Sequence, residues 1–167
     1  MQKMLILVTL LKLIKISKMH LIKIKKKIEK FDKVLSIEGD KSLSIRWALI
    51  ASQSNSKSRS INLLLSEDVI NTLKCLRRLG VKVKIFKNFC EINGVGLNGF
   101  KYKKNITLDA GNSGTLGRLI MGLLTHSKNL VKLKGDKSLS KRDFLRIIKP
   151  LKKFGADFKS NFGRLPI

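Results

Sequence analysis

The hexapeptide Gly-Asp-Lys-Ser-Leu-Ser occurs twice in this chain of 167 residues, at positions 39–44 and 135–140. An arginine follows each copy at the same offset, Arg46 after the first and Arg142 after the second. A glycine turn that opens a helix leaves backbone N–H groups without intrahelical partners, and the helix dipole favours anions there. The repeat therefore predicts two turns that suit phosphate or carboxylate oxygens. For a single copy, a capped helix start with two solvated cations would be the simpler interpretation.

The side chains of the first copy strengthen the anion-binding interpretation. Lys41 and Ser42 are expected in the turn, and Arg46 lies one helical turn beyond Ser42, so that it can point the same way. An ammonium, a hydroxyl and a forked guanidinium beside free N–H groups suit phosphate or carboxylate oxygens. With the turn at 111–115, the chain offers three such turns. We refer to residues 39–46 as the first turn, 111–118 as the second and 135–142 as the third.

Apolar spacing and turn residues predict an ordered series of elements in the first part of the chain. The series is a strand at about 33–38, a helix at about 43–53, a strand at 61–65, a helix from Ser66 to Gly80, and a hairpin of 81–86 with 89–92. The order is β-α-β-α-β-β. A helix start is indicated at Ser66 because acidic residues follow it, and Gly80 is a natural residue to end a helix.

The same order begins again after a glycine-rich segment. It comprises a strand at 106–108, a helix at about 115–124, a strand at 130–134, and a helix that follows the third turn and ends at Gly155. Pro150 predicts a kink in that helix. The sequences at the C-terminal ends of the two predicted helices, 76–80 and 151–155, match almost residue for residue. We therefore predict a mixed α/β fold built from two copies of one unit, the second cut off in its closing hairpin at 161–167.

The chain carries 36 Lys and Arg against 11 Asp and Glu, a formal net charge of +25. This balance indicates anionic partners, and a basic nucleic-acid-binding module is one interpretation. The cations are mostly Lys, however, and are spread over strands and helices alike, as compositional drift on an ordinary fold would leave them. An RNA-binding surface more often combines Arg clusters with exposed aromatic residues. Small anions are therefore the expected partners, with nucleic acid as the alternative.

The N-terminal segment gives few constraints. The apolar run Met4–Leu11 is too short and the residues after it too charged for a transmembrane helix, and no small-residue cleavage site follows. We interpret residues 1–18 as an extension ahead of Met19, although the true start stays open. A first strand is predicted at His20–Lys27, so 1–32 comprises the extension and that strand. We expect no membrane partner and a cytoplasmic location.

Cysteine and histidine spacing indicates no metal site. Cys75 and Cys90 lack metal-ligand spacing and are too few for a disulfide framework, so both are expected to be reduced in or near the core. His20 and His126 stand apart from the cysteines and from paired carboxylates. The sequence predicts no metal and no cofactor.

Five segments of the chain, taken together, form a pattern. They are Gly39–Arg46, Leu64–Asp68, Gly111–Thr115 with Arg118, Gly135–Arg142 and Gly163–Ile167. In this order they resemble the 5-enolpyruvylshikimate 3-phosphate synthase family, and the resemblance covers about 33–167. The resemblance implies two domains of three β-α-β-α-β-β units each. This chain would hold part of the N-terminal domain, as units 33–93 and 105–167.

The resemblance implies transfer of the carboxyvinyl group of phosphoenolpyruvate to the 5-hydroxyl of shikimate 3-phosphate, with release of phosphate. Lys41 would be catalytic and contact both substrates, and Ser42 and Arg46 would hold shikimate 3-phosphate. The phosphoenolpyruvate ligands implied by the resemblance are Lys41, Asn112, Gly114, Thr115, Arg118 and Arg142. The related UDP-N-acetylglucosamine enolpyruvyl transferases lack the Gly-Asp-Lys-Ser…Arg pattern seen here.

Two features depart from the family pattern. Asp143 stands where the family usually has Pro after the arginine of the third turn. It is expected to form a capping pair with Ser140 and, as a negative charge, to weaken the hold of Arg142 on an anion. The chain would also supply less than half of the family sequence, without the third unit or most of the second domain. We therefore expect the isolated chain to be inactive. Whether a complementary C-terminal chain acts as its partner stays open.

Overall fold

The computed structural model describes residue 32 and residues 34–167, of which Ile37–Ile167 form one compact unit. The predicted extension and the strand at His20–Lys27 lie outside the described residues. The helices and strands are α1 (Lys41–Ser52), β1 (Lys57–Ile61), α2 (Glu67–Arg78), β2 (Lys82–Ile85), β3 (Phe89–Asn93), β4 (Ile106–Asp109), α3 (Gly114–Leu123), β5 (Val131–Lys134) and α4 (Leu145–Lys153). The mixed α/β fold expected from the sequence is confirmed.

The strands form two sheets. β1, β3 and β2 lie side by side in that order and are antiparallel, with Arg59 opposite Glu91. β4 and β5 are parallel, with Leu108 opposite Leu133. The β2–β3 hairpin is confirmed. None of the helices in the described part of the chain has the length and apolarity needed to cross a bilayer.

The start of the first unit differs from the prediction. Residues 34–38 form no strand, and β1 covers Lys57–Ile61 instead of 61–65. The reason is a different use of backbone groups, because the Ile37 carbonyl accepts a hydrogen bond from the Asn62 side-chain amide rather than from a neighbouring strand. Gly39 packs directly on the Asn62 carbonyl, where a side chain would clash.

Both copies of the hexapeptide fold in the same way at their start. Asp40 Oδ1 accepts the Leu43 N–H at 2.7 Å, and Asp136 Oδ1 accepts the Leu139 N–H at 2.6 Å. Such a bond satisfies one of the donors left free at a helix N-terminus. The first copy then continues into α1, which begins at Lys41 and not at 43 as predicted. Lys41 therefore lies in the first turn of the helix.

The second copy does not continue into a helix. It forms a single 3-10 turn at Leu139–Lys141, after which Arg142 is extended (φ −77°, ψ 150°). α4 begins afresh at Leu145, where Asp143 Oδ1 accepts the Leu145 N–H at 2.7 Å. The predicted single helix to Gly155 is thus wrong in its first turn, because Arg142 is extended and a new helix begins after Phe144. Ser140 makes no capping pair with it, since its hydroxyl faces the Gly135 carbonyl at 3.4 Å.

The core lies between the helices and the inner faces of the sheets. α2 begins after Ser66, as predicted, with acidic residues in its first turn and basic residues in its last. Cys75 and Cys90 are buried in this core, and burial raises the pKa of the Cys75 thiol to about 11. The fully buried side chains include Ile45, Leu73, Leu76, Leu116, Ile120, Leu139 and Phe144.

Candidate functional site

The second and third turns meet through one polar side chain. Arg142 Nη2 donates to Asn112 Oδ1 at 3.0 Å, and Asn112 Nδ2 donates to Asp136 Oδ2 at 2.6 Å. The backbones also touch, because the Asp136 N–H donates to the Gly111 carbonyl at 2.8 Å. Side chains that are 24 and 30 positions apart in sequence are thus bonded to each other.

Gly114 allows two guanidinium groups to approach the start of α3. A Cβ atom at this position would lie 2.9 Å from Arg142 Nη1 and 3.2 Å from Arg118 Nη1. The helix is capped just before it, where Ser113 Oγ accepts the Leu116 N–H at 3.2 Å. The absence of a side chain at Gly114 therefore leaves room for Arg142 and Arg118 over a helix N-terminus, where anions bind favourably.

Arg118 is short of hydrogen-bond partners. Its Nε is buried and has no partner among the described residues, and its guanidinium lies 5.7 Å from the centre of the Phe144 ring. Burial lowers the pKa of Arg118 below its ordinary value, and the neighbouring charges of Arg146 and Arg142 lower it further. Crowded, partly desolvated guanidinium groups are stabilised by a bound anion, which supplies the missing acceptor and the opposite charge.

The first turn contacts a different neighbour. Lys41 Nζ lies 3.1 Å from Asp68 Oδ2, and its side chain is 51% exposed. Ser42 is half-buried and Arg46 is exposed. Farther along α2, the Asn71 amide packs against Gly111 of the second turn. The N-terminal half of α2 thus contacts both the first and the second turn.

The structure brings part of the predicted site together. Asn112, Gly114, Arg118 and Arg142 form one cluster, which we call the arginine cluster, and Thr115 is half-buried beside it in the first turn of α3. Lys41, Ser42 and Arg46 share the first turns of α1. The ion pair of Lys41 is with Asp68 and not with a member of the arginine cluster.

Sequence reasoning missed the residues that support the arginine cluster. Asp136 joins the second and third turns, and Asp109 accepts the Gly111 N–H at 2.9 Å while pairing with Lys134 at 2.9 Å. The aspartate in each hexapeptide was a usable signal, since its capping role is the same in both. The Asp109 contacts depend on strand register and had no such signal.

The carboxylate of Asp143, next to Arg142 in sequence, bonds to the backbone at the start of α4. No ion pair among the described residues joins it to Arg142, and its carboxylate accepts the Leu145 N–H instead. Arg142 keeps its bond to Asn112. Asp143 is therefore bonded to the first backbone N–H of α4, and its charge stays close to Arg118 of the arginine cluster.

The junction of the second and third turns should depend on pH. The Leu139 N–H, followed by the Asn112 amide, lowers the pKa of Asp136 below its ordinary value. A lowered pKa in the folded state means that this stabilisation is fully present above the ordinary aspartate pKa and is lost as the pH falls through the lowered value. We expect the Leu139 amide signal in NMR spectra to change across that acidic range. The change should be absent in Asp136→Asn, and its persistence there would contradict this assignment.

Comparisons with known proteins find one family. The family model for EPSP synthase (3-phosphoshikimate 1-carboxyvinyltransferase) matches residues 25–167. The 3-phosphoshikimate 1-carboxyvinyltransferase of Ruthia magnifica is 45% identical over 133 residues, which is 80% of this chain and 30% of that protein. The same enzyme of Alkaliphilus metalliredigens is 42% identical over 130 residues, 78% of this chain and 30% of that protein.

A solved structure shows the same likeness in three dimensions. The EPSP synthase of Acinetobacter baumannii superposes with a TM-score of 0.73 at 36% identity, covering 79% of this chain and 30% of that one. The chain spans about 30% of the length of the relatives that it matches. The match gives no support to the nucleic-acid alternative. The chain belongs to the EPSP synthase (3-phosphoshikimate 1-carboxyvinyltransferase) family.

Proposed function

We propose that this chain supplies part of the active site of an enolpyruvyl transferase. In the proposed reaction, the 5-hydroxyl oxygen of shikimate 3-phosphate forms a bond to C2 of phosphoenolpyruvate. The bond from C2 to the phosphate oxygen breaks, and in the overall balance the hydroxyl proton ends on the inorganic phosphate that leaves. The reaction belongs to the shikimate pathway of aromatic amino-acid biosynthesis, and we expect it to occur in the cytoplasm.

The arginine cluster is the proposed subsite for phosphoenolpyruvate. Both its phosphate and its carboxylate are acceptors that suit guanidinium groups and helix N-terminal N–H groups. Arg142 and Arg118 would pair with the anion, and Asn112, Gly114 and Thr115 would shape the turn beneath it. Each charge-assisted hydrogen bond contributes about 1.5–3 kcal/mol. The neighbouring carboxylate of Asp143 would reduce this net attraction.

The first turn is the proposed subsite for shikimate 3-phosphate. Ser42 and Arg46 lie one helical turn apart on α1 and would hold its anionic group. Lys41 would touch both substrates and act in catalysis. Because Lys41 is paired with Asp68 at 3.1 Å, substrate binding must displace or share that contact.

One observation carries this proposal. Arg142 of the third turn and Arg118 of the second converge on Gly114, with Asn112 bonded to Arg142 at 3.0 Å. These are residues to which the family resemblance assigns phosphoenolpyruvate, and they come from separate parts of the sequence. Their convergence supports an anion site that neither segment could form alone.

The proposal includes a complementary part of the enzyme. The chain spans about 30% of its relatives, so we propose that turnover needs a complementary part that carries the remaining family sequence. We infer that units 33–93 and 105–167 together form part of the N-terminal domain of the assembled enzyme.

The test is turnover with and without such a partner. The purified chain should release no phosphate from phosphoenolpyruvate and shikimate 3-phosphate above the buffer blank. After co-expression with the remaining part of the Ruthia magnifica relative, the complex should release phosphate only when both substrates are present. Saturable turnover by the chain alone would refute the need for a partner, and a stable complex without turnover would refute the proposed function.

A further inference from the structure

One face of α2 carries three side chains that contact other segments. Asp68, Asn71 and Cys75 follow one another at intervals of three and four residues, so they lie on the same side of the helix. We call them the α2 stripe. At its N-terminal end, Asp68 pairs with Lys41 of the first turn at 3.1 Å. The stripe is therefore attached at one end to the residue that we propose to be catalytic.

The rest of the α2 stripe contacts the chain where β4 runs into the second turn. The Cys75 thiol donates to the Asp109 carbonyl at 3.3 Å. The Asn71 amide packs so closely on Gly111 that a Cβ atom there would clash with its nitrogen and would lie 3.5 Å from its Cγ. The backbone at the start of the second turn thus rests on α2 at two points.

Gly111 passes this contact on to the arginine cluster. Its φ of +55° is left-handed, a conformation that glycine adopts readily and that turns the chain from β4 toward α3. Its carbonyl accepts the Asp136 N–H of the third turn at 2.8 Å, and the side-chain oxygen of the next residue, Asn112, accepts Arg142 Nη2 at 3.0 Å. The position of Gly111 on α2 therefore determines where the second and third turns lie.

The α2 stripe fixes a short distance between the two proposed subsites. Asp68 and Asn71 are three residues apart, which is a rise of about 4.5 Å along an α-helix. The contact point of Lys41 and that of Gly111 are therefore less than one helical turn apart on a single element. In the proposed reaction, phosphoenolpyruvate has to reach Lys41 and Arg142 at once. A misplacement of about 1 Å can lower a rate by roughly a hundredfold, so this spacing has to be held.

We propose that Asn71 is a positioning residue for the reaction, and this inference rests on the proposed function. Its side chain is the spacer between α2 and Gly111. It holds the second turn, and with it the arginine cluster, at the distance from Lys41 that one phosphoenolpyruvate molecule spans. Asn71 touches no substrate and acts only through Gly111.

Three substitutions test the spacer. Asn71→Ala removes the contact with Gly111, and α2 should stay helical because alanine is the better helix former. Asn71→Leu keeps a branch at Cγ and so fills nearly the same space. Asn88→Ala is the matched control, since Asn88 is exposed in the turn between β2 and β3 and its amide is lost away from the α2 stripe. Circular dichroism of each variant checks folding, and Asn71→Ser replaces Asn71→Ala if helix content falls.

The first measurement needs no substrate. Hydrogen exchange at the Asp136 amide, which is bonded to the Gly111 carbonyl, reports how firmly the second turn is held. We expect exchange to be at least about fivefold faster in Asn71→Ala than in the unmodified chain, and to stay within about twofold in Asn71→Leu and Asn88→Ala. Unchanged exchange in Asn71→Ala would overturn the spacer role.

The second measurement is steady-state phosphate release by the chain co-expressed with the remaining part of the Ruthia magnifica relative. Asn71→Ala should lower kcat at least about tenfold and leave KM for shikimate 3-phosphate within about twofold, because the first turn is intact. Asn71→Leu should recover most of the loss. Equal losses in Asn71→Ala and Asn71→Leu, or a loss in Asn71→Ala no larger than in Asn88→Ala, would overturn the positioning role. Faster exchange that Asn71→Leu reverses, without turnover by the unmodified assembly, would support the spacer and refute the proposed function.

Discussion

Replacing Phe144 with alanine is expected to lower the free energy of unfolding by about 3–5 kcal/mol. Phe144 is fully buried, and its ring lies 3.3–3.4 Å from the Cβ position of Gly117 on α3. It therefore holds α4 against α3 and supports the side chain of Arg118. Removing the ring leaves a cavity that the backbone can fill only in part. Urea denaturation followed by circular dichroism measures the change.

The control for this experiment is Phe154→Ala. Phe154 is 87% exposed, so its loss should change the free energy of unfolding of the chain by less than about 0.5 kcal/mol. A cost below about 1 kcal/mol for Phe144→Ala would mean that the α3–α4 contact is not part of the core.

Replacing Arg142 with alanine is expected to reduce kcat/KM for phosphoenolpyruvate by roughly ten- to hundredfold in the assembled enzyme. The guanidinium would lose its bonds to the anion, and the Asn112 side chain would lose the donor that orients it. Arg142→Lys should recover only part of the loss, because a lysine ammonium cannot form a forked contact. Steady-state phosphate release at saturating shikimate 3-phosphate measures the effect.

Arg78→Ala is the matched control, because Arg78 is exposed at the C-terminal end of α2, opposite to the end that contacts the first two turns. This substitution removes the same charge as Arg142→Ala, and kcat/KM for phosphoenolpyruvate should stay within about twofold of the value for the unmodified enzyme. Equal losses for Arg142→Ala and Arg78→Ala would assign the effect to net charge rather than to a site.

Much of the fold could be predicted because its signals are local. The α2 helix has a serine at its N-cap position, acidic first-turn residues, helical apolar spacing and a closing glycine, all within residues 66–80, and the structure places the helix there, although the Ser66 hydroxyl makes no capping hydrogen bond. The β2–β3 hairpin has the same local character. Such elements can be predicted without knowing which segments pack against them.

The sequence-based predictions are wrong where contacts with another segment determine the local structure. Residues 34–38 have an extended sequence pattern but form no strand, and the Ile37 carbonyl accepts a hydrogen bond from the Asn62 side chain instead. The two hexapeptides are identical, yet only the first continues into a long helix, because the chain after the second is extended at Arg142 and a new helix starts at Leu145. Identical residues therefore form different elements, because the residues on their C-terminal side differ.

In the candidate site, too, local features could be predicted from the sequence and contacts between distant segments could not. The residue types in the three turns could be predicted, and the pairing of Arg142 with Asn112 shows that two of the turns meet. The supporting contacts of Asp136 and the pairing of Lys41 with Asp68 could not be predicted, because they depend on how sequence-distant segments pack.

The central claim is that residues of the second and third turns bind one anion together. A titration of the ¹⁵N-labelled chain with phosphoenolpyruvate, followed by amide NMR shifts, tests it most directly. We expect saturable shifts at Asn112, Gly114 and Thr115, and their loss in Arg142→Ala. Shifts spread over exposed lysines, or shifts at Gly114 that persist unchanged without Arg142, would contradict the claim.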